Sequence, residues 1–116
     1  MNVTLFANAP AYFPANHIDM QCLRLQGHEA GPSESLWLGV SLLLPGGHTG
    51  LDGSPVEKHY VVLEGRVTVV TETGEETLGP WDSCRLAPGE KRRLENRTDD
   101  TATILLAMPY PPVAQG

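Results

Sequence analysis

The stretch "SPVEKHYVVLEG", residues 54–65, decides the fold because it joins a β-prone run to a glycine turn. Its apolar part, from Tyr60 to Leu63, is typical of a strand, and Gly65 permits a tight reversal before "RVTVV" at 66–70. Side chains along a strand alternate between two faces. Lys58 therefore shares a face with Tyr60, and the residues on either side of Lys58 share the opposite face.

Composition and charge exclude several classes of function. The chain has 116 residues, enough for one domain, and its formal net charge of −6 argues against binding nucleic acid. The beginning, "MNVTLFANAPAYF", lacks the features of a signal peptide, and the run "TILLAM" at 103–108 is too short to span a bilayer. We therefore expect a cytoplasmic protein with reduced thiols and no nucleic-acid or membrane partner.

Short β-prone runs recur along the chain, and the ten prolines and twelve glycines leave little room for helices. This pattern is typical of a sandwich or barrel of antiparallel strands. "TETGEE" predicts a hairpin turn at Gly74, and the glycine-rich segment 45–55 predicts a long loop. The predicted strands are 20–26, 36–44, 58–65, 66–73, 75–79, 83–87, 91–97 and 101–108.

Two stretches together resemble the two sequence motifs of the cupin superfamily. They are "PGGHTGLDGSPVEKHYVVLEGRVTV" at 45–69 and "LGPWDSCRLAPGEKRRLEN" at 78–96. The resemblance implies an all-β protein with the double-stranded β-helix, or RmlC-like jelly-roll β-barrel, of cupins. It also implies a small-molecule ligand in the barrel and a homodimer. The chain is similar, in particular, to the metal-free half of two-domain cupins such as the ureidoglycine aminohydrolases.

The resemblance also implies an organisation of the chain, which is one domain overall. Residues 36–108 would form the barrel core, and residues 1–35 would supply N-terminal strands and an arm that packs on the barrel. Residues 109–116 would be an extended C-terminal tail.

The metal ligands that the resemblance would bring are missing at the matching positions. In metal-binding cupins the first motif carries a histidine pair and then a Glu or Gln seven residues before the turn glycine, and the second motif adds a histidine. These places fall on Leu51, Gly53, Lys58 and Arg92. Because two cations would repel a divalent metal, we expect no metal cofactor at these positions.

A shifted register leaves an alternative open. A bulge in the strand would turn Glu57 and His59 inward, and His48 could join them as three ligands for zinc, manganese or iron. The chain would then be a metal-dependent, dioxygenase-like cupin.

The unshifted register favours a different chemistry. An inward Lys58 would be desolvated, which lowers its pKa and suits it to act as a base or a nucleophile. Arg92 would pair with a substrate carboxylate, Tyr60 would relay a proton, and His48 would contribute from its loop. The plainer interpretation is that Lys58 and Arg92 lie at the barrel mouth with their charged ends in water.

These residues lead to three hypotheses about function. The first is a cupin that binds a small organic acid or other polar metabolite and acts as a metal-independent lyase, isomerase or decarboxylase by proton transfer. The second is the metal-dependent cupin of the shifted register. The third is a ligand-binding module without enzymatic activity.

Overall fold

The computed structural model describes residues 1–111, and this part of the chain is all-β. It contains no α-helix within those residues, only two short 3-10 turns at Phe6–Asn8 and His28–Ala30. None of its helical segments has the length and hydropathy needed to cross a bilayer. The strands are β1 (Ala11–Tyr12), β2 (His17–Gln26), β3 (Leu36–Thr49), β4 (Lys58–Glu64), β5 (Val67–Thr71), β6 (Gly74–Leu78), β7 (Ser83–Leu86), β8 (Arg92–Glu95) and β9 (Ala102–Pro109).

The long strand β3 ties the barrel together. Its first part pairs with β2 on one side and with β9 on the other, while His48 near its end pairs with Glu95 of β8. The strands follow the order β6-β5-β8-β3-β9-β4-β7, and every pairing is antiparallel. The sheet curves into a nearly closed barrel, which confirms the predicted jelly-roll fold.

The core fills the space between the curved strands. Leu43, Val62, Val67 and Ile104 are each 0% exposed, and along β9 buried positions alternate with partly buried ones. Each such aliphatic side chain contributes about 1.5–3 kcal/mol by leaving water. Burial therefore selects one register for each strand, because a one-residue slip would turn these side chains outward.

The predicted strands are all found, with ends that move by a few residues. The main correction concerns residues 45–49, the first part of the predicted loop 45–55, because β3 continues through Thr49; residues 50–55 lie between β3 and β4. Backbone bonds hold this extension: Gly46 N–H donates to Asn96 O, and Asn96 N–H donates to Gly47 O, both at 2.9 Å. The short strand β1 was not predicted. Of the predicted tail, residues 112–116 lie outside the described part, and Pro109 ends β9.

Asn96, the residue after β8, forms side-chain hydrogen bonds to β3 and to the turn that follows. Its side chain is 2% exposed, and its amide nitrogen donates to Leu43 O at 2.9 Å and to Asp100 O at 2.7 Å. Its side-chain oxygen accepts from Thr98 N at 3.0 Å and from Thr98 Oγ1 at 2.7 Å. The amide thus satisfies its polar atoms in a buried place and fixes the turn between β8 and β9.

Replacing Asn96 by alanine is expected to lower the free energy of unfolding by about 3 kcal/mol, because buried partners lose their hydrogen bonds. Urea denaturation of both proteins would measure the loss. Asn8→Ala, in an exposed turn, is the control and should stay within about 0.5 kcal/mol of wild type. Equal stability of the Asn96 variant and the wild type would contradict this role.

Candidate functional site

The register of β4 determines which polar side chains enter the barrel. Lys58 pairs with Leu86, and Tyr60 pairs with Cys84 on one side and Leu106 on the other. Lys58 is 7% exposed and Tyr60 is 3% exposed, whereas the intervening residue of the strand is exposed. The unshifted register is therefore the one found, and Lys58 and Tyr60 face inward.

Glu57 and His59 lie on the outer face. His59 Nε2 is 2.9 Å from Glu57 Oε1, and Glu57 also forms an ion pair with Arg85. Their side chains make a surface network, so the register proposed in the metal alternative is not adopted.

Arg92 meets Tyr60 inside the barrel. Arg92 is 5% exposed at the beginning of β8, and its Nε donates to the Tyr60 hydroxyl at 3.1 Å. Its Nη1 donates to the backbone carbonyl of Asp52 at 3.4 Å, and the backbones of these two residues form a β-bridge. The guanidinium is thus held between β4 and the segment that follows β3.

These side chains line a cavity of about 400 Å³, a size suited to a small metabolite. Its walls combine cationic, aromatic and aliphatic groups. The lining residues are Tyr12, Phe13, Pro14, His17, Met20, Arg24, His28, Trp37, Ser41, Lys58, Tyr60, Arg92, Leu94, Leu106, Met108 and Pro111.

The charges in this cavity are unbalanced. Within residues 1–111, Lys58 and Arg92 form no ion pair with a carboxylate, and the lining includes no Asp or Glu. The nearby Asp52 carboxylate accepts a hydrogen bond from Asn16 at 3.2 Å. Because buried charges are costly unless they are paired, the cavity is suited to an anionic group supplied from outside the described chain.

The structure does not bring His48 to the cavity. Its ring nitrogen Nδ1 lies 3.1 Å from Gly46 O, and it stands between Gly47 and Thr49, which are buried. Since neighbours along a strand face opposite ways, His48 points to the other side of β3. Of the four predicted site residues, the structure therefore brings together Lys58, Tyr60 and Arg92.

The N-terminal strands supply lining residues that sequence reasoning missed. The Arg24 guanidinium lies 3.5 Å from the ring centre of Tyr12 and 4.5 Å from that of Trp37, and it pairs with Glu29 at 2.8 Å. Tyr12 and Trp37 meet edge to face, with their centres 5.8 Å apart. All of these residues precede both sequence motifs, so no motif spacing could have indicated them.

Comparison with known proteins places the chain in a family. No protein-family model matches it. A protein of Mycobacterium tuberculosis named beta-D-galactosidase Rv1717 is 40% identical over 111 residues, which are 96% of each chain. The polyketide cyclase RemF of Streptomyces resistomycificus has a similar fold, with a TM-score of 0.83, 20% identity, and coverage of 94% of this chain and 79% of RemF.

A third similar protein is a sugar phosphate isomerase from a cupin superfamily, SPO2919 of Silicibacter pomeroyi. Its TM-score is 0.71 at 26% identity, and the match covers 81% of this chain and 61% of that one. The chain is a small single-domain cupin. It belongs to the same family as the mycobacterial protein.

The donor set of this cupin does not fit the usual metal site of the superfamily. Two positions that would carry ligands hold Lys58 and Arg92, which are both buried in the cavity. Within residues 1–111, no three His, Cys, Asp or Glu side chains come close enough to hold a metal ion, and this includes the set His48, Glu57 and His59. These two positions therefore hold cations in place of metal ligands.

Burial shifts the pKa values of the titrating groups in the cavity of this cupin. The pKa of Lys58 is lowered to about 8, chiefly by desolvation and also by Arg92, while Asp52 opposes the shift. Burial raises the pKa of Tyr60, so its hydroxyl keeps its proton, while Arg92 acts in the opposite sense. Lys58 can thus gain or lose a proton near neutral pH.

Lys58→Met is expected to stabilise the folded cupin at pH 7 by about 1 kcal/mol, or roughly 4 °C in Tm, because it removes a desolvated cation from the cavity that Arg92 also lines. The pKa of Lys58 is lower in the folded state than in the unfolded state. Unfolding therefore takes up a proton between about pH 8 and 10.5, and the wild type gains stability as the pH rises through that range.

The difference between variant and wild type should consequently shrink above pH 8. Thermal unfolding of both proteins at several pH values measures it. Lys91→Met, at the exposed position before Arg92, is the matched control. A Lys58 variant less stable than wild type at pH 7 would show that the ammonium has a stabilising partner.

Proposed function

We propose that this cupin binds a small organic anion of sugar size in its barrel cavity and catalyses proton transfer on it. The observation that carries the proposal is the pair of buried cations, Lys58 and Arg92, whose charges no carboxylate lining the described cavity offsets. An anionic ligand would supply the missing charge and recover part of the desolvation cost of both side chains.

Arg92 is the group expected to clamp the anion. A guanidinium has five N–H donors, and two of those of Arg92 have an acceptor among the described residues, the Tyr60 hydroxyl and the Asp52 carbonyl. These two bonds orient the planar group and leave donors for a carboxylate or a phosphate. Lys58 adds a second positive charge from β4.

Aromatic side chains at the cavity favour a ligand with a carbohydrate skeleton. Tyr12 and Trp37 line the cavity, and the guanidinium of Arg24 lies over both rings. Two similar proteins carry names that refer to sugars, the beta-D-galactosidase and the sugar phosphate isomerase. A sugar acid or a sugar phosphate combines the two features, and both fall within the class of small organic acids and polar metabolites.

The reaction class follows from Lys58. A group whose pKa is about 8 populates both protonation states near neutral pH, as acid–base catalysis requires. Tyr60, hydrogen-bonded to Arg92, can relay a proton to the ligand. Isomerisation, elimination and decarboxylation all use such a step, and the cupin needs only its own side chains to perform it.

Arg92→Met and Lys58→Met are each expected to weaken binding of D-galacturonate and of inorganic phosphate by about 10–100-fold, because a charge-assisted hydrogen bond is lost. Titration calorimetry would measure the affinities. Arg93→Met is the matched control, since Arg93 is the next residue and pairs with Glu95 at 2.7 Å.

Neutral D-galactose should bind more weakly than D-galacturonate to the wild type. If Arg92→Met and Lys58→Met bind both anions as tightly as the wild type does, the site assignment is wrong. Tight binding with no chemical change in a panel of sugar acids and sugar phosphates would favour the ligand-binding module.

Hydrolysis of a β-D-galactoside is the second candidate, favoured by 40% identity to the mycobacterial protein over nearly the whole chain. Glycoside hydrolysis ordinarily uses two carboxyl groups, and the described lining offers none. Release of nitrophenol from 4-nitrophenyl β-D-galactoside tests it directly. If the wild type releases nitrophenol and Arg92→Met does not, β-galactoside hydrolysis would replace proton transfer as the assigned activity.

The homodimer and the cytoplasmic location stay predictions.

A further inference from the structure

His17 is a titrating group in the cavity that the proposed function does not yet use. It begins β2 and lines the same cavity as Lys58 and Arg92. Its Nδ1 lies 2.7 Å from the Ala15 carbonyl oxygen. Because a carbonyl only accepts hydrogen bonds, Nδ1 carries the hydrogen, and in the neutral ring Nε2 keeps a free lone pair.

The charges that face His17 come from several elements. Arg92 of β8 and Lys58 of β4 repel a second positive charge, and Asp52, in the segment between β3 and β4, attracts one. Burial is the largest influence, and together with the two cations it lowers the pKa of His17. The imidazole is therefore mainly neutral at pH 7, when most Lys58 side chains still carry their proton.

His17 and Lys58 reach the cavity from separate strands. His17 pairs with Thr49 at the end of β3, where β3 also pairs with β8, whereas Lys58 begins β4 and pairs with Leu86 of β7. Arg92 enters from a third strand, β8. A ligand anchored through its anionic group on Arg92 would thus have a proton acceptor and a proton donor available from different directions.

We propose that His17 is the catalytic base of this site and that Lys58 is its acid. This assignment rests on the proposed function and deepens it. His17 Nε2 takes the proton from the carbon next to the substrate carbonyl, and the C–H electron pair becomes the new C=C bond. The carbonyl π pair takes the proton from the Lys58 ammonium and becomes an O–H bond.

The intermediate is an enediol when that carbon also bears a hydroxyl. Return of the His17 proton to the former carbonyl carbon, and of the neighbouring hydroxyl proton to Lys58, regenerates both groups. The step consumes no co-reactant. The substrate class is accordingly a 2-hydroxy aldehyde or ketone that carries a carboxylate or a phosphate, and the net reaction is isomerisation.

His17→Asn isolates the base, because its amide can still donate to Ala15 O but has no nitrogen lone pair. His59→Asn, on the outer face of β4, is the control. In D₂O, wild type should convert D-galacturonate or D-galactose 6-phosphate into the corresponding 2-ketose and incorporate deuterium at C1, the former carbonyl carbon. His17→Asn should lose at least 100-fold of this rate while its affinity for inorganic phosphate changes less than threefold.

The wild-type rate should follow a bell-shaped pH profile, rising as His17 loses its proton and falling as Lys58 loses its own above about pH 8. A rate that only rises through pH 8 would instead make Lys58 the base and overturn the assignment. Undiminished deuterium incorporation by His17→Asn would overturn the assignment as well. So would the absence of deuterium incorporation by the wild type with both sugars.

NMR of ¹⁵N-histidine-labelled protein gives a readout that needs no turnover. The expected result is the Nδ1–H tautomer of His17, with resonances that shift on addition of inorganic phosphate in wild type but not in Arg92→Met. An Nε2–H tautomer, or phosphate binding that His17 does not sense, would overturn only the role of His17. Absence of phosphate binding to wild type would instead overturn the proposed function, and this assignment with it.

Discussion

The pairing register of β4 is the constraint on which the site depends. With Lys58 opposite Leu86 and Tyr60 opposite Leu106, the strand turns an ammonium and a phenol into the barrel. A slip of one residue would exchange them for Glu57 and His59 and reverse the electrostatics of the cavity. Val62, two positions beyond Tyr60 and fully buried, holds the register by packing, so the aliphatic core determines the chemistry of the polar end.

Burying the two cations of the site costs free energy of folding, which interactions elsewhere in the fold offset. Two buried cations line one cavity, and the pKa of Lys58 is lowered first by burial and second by the charge of Arg92. Apolar packing and the Asn96 network supply stability without them. Groups that a stable fold does not need, and that burial penalises, are the ones for which a function should be sought.

Much of the fold could be predicted from sequence, because the relevant signals are local. Alternation and glycine turns are readable within a few residues, and they also placed Lys58 and Tyr60 on one face. The place of Arg92 in the site was predicted from the resemblance to cupins. The expectation for His48 rested on a glycine-rich segment that was predicted to be a loop, whereas backbone bonds with Asn96 extend β3 through Thr49, and His48 does not line the cavity. His17 was missed because only tertiary pairing of β2 with β3 brings it to the cavity.

The positions where related cupins hold a metal keep a positive charge in this chain. A bound cation attracts anionic oxygens and stabilises negative charge that develops during reaction, and an ammonium with a guanidinium can do the same. The side chains differ from a metal in one respect: Lys58 can also release a proton. Under the proposed function, cations in place of ligands would preserve the electrostatic task of the site and add acid–base chemistry. The neutral base that this chemistry also requires is, in our proposal, a histidine outside both motifs.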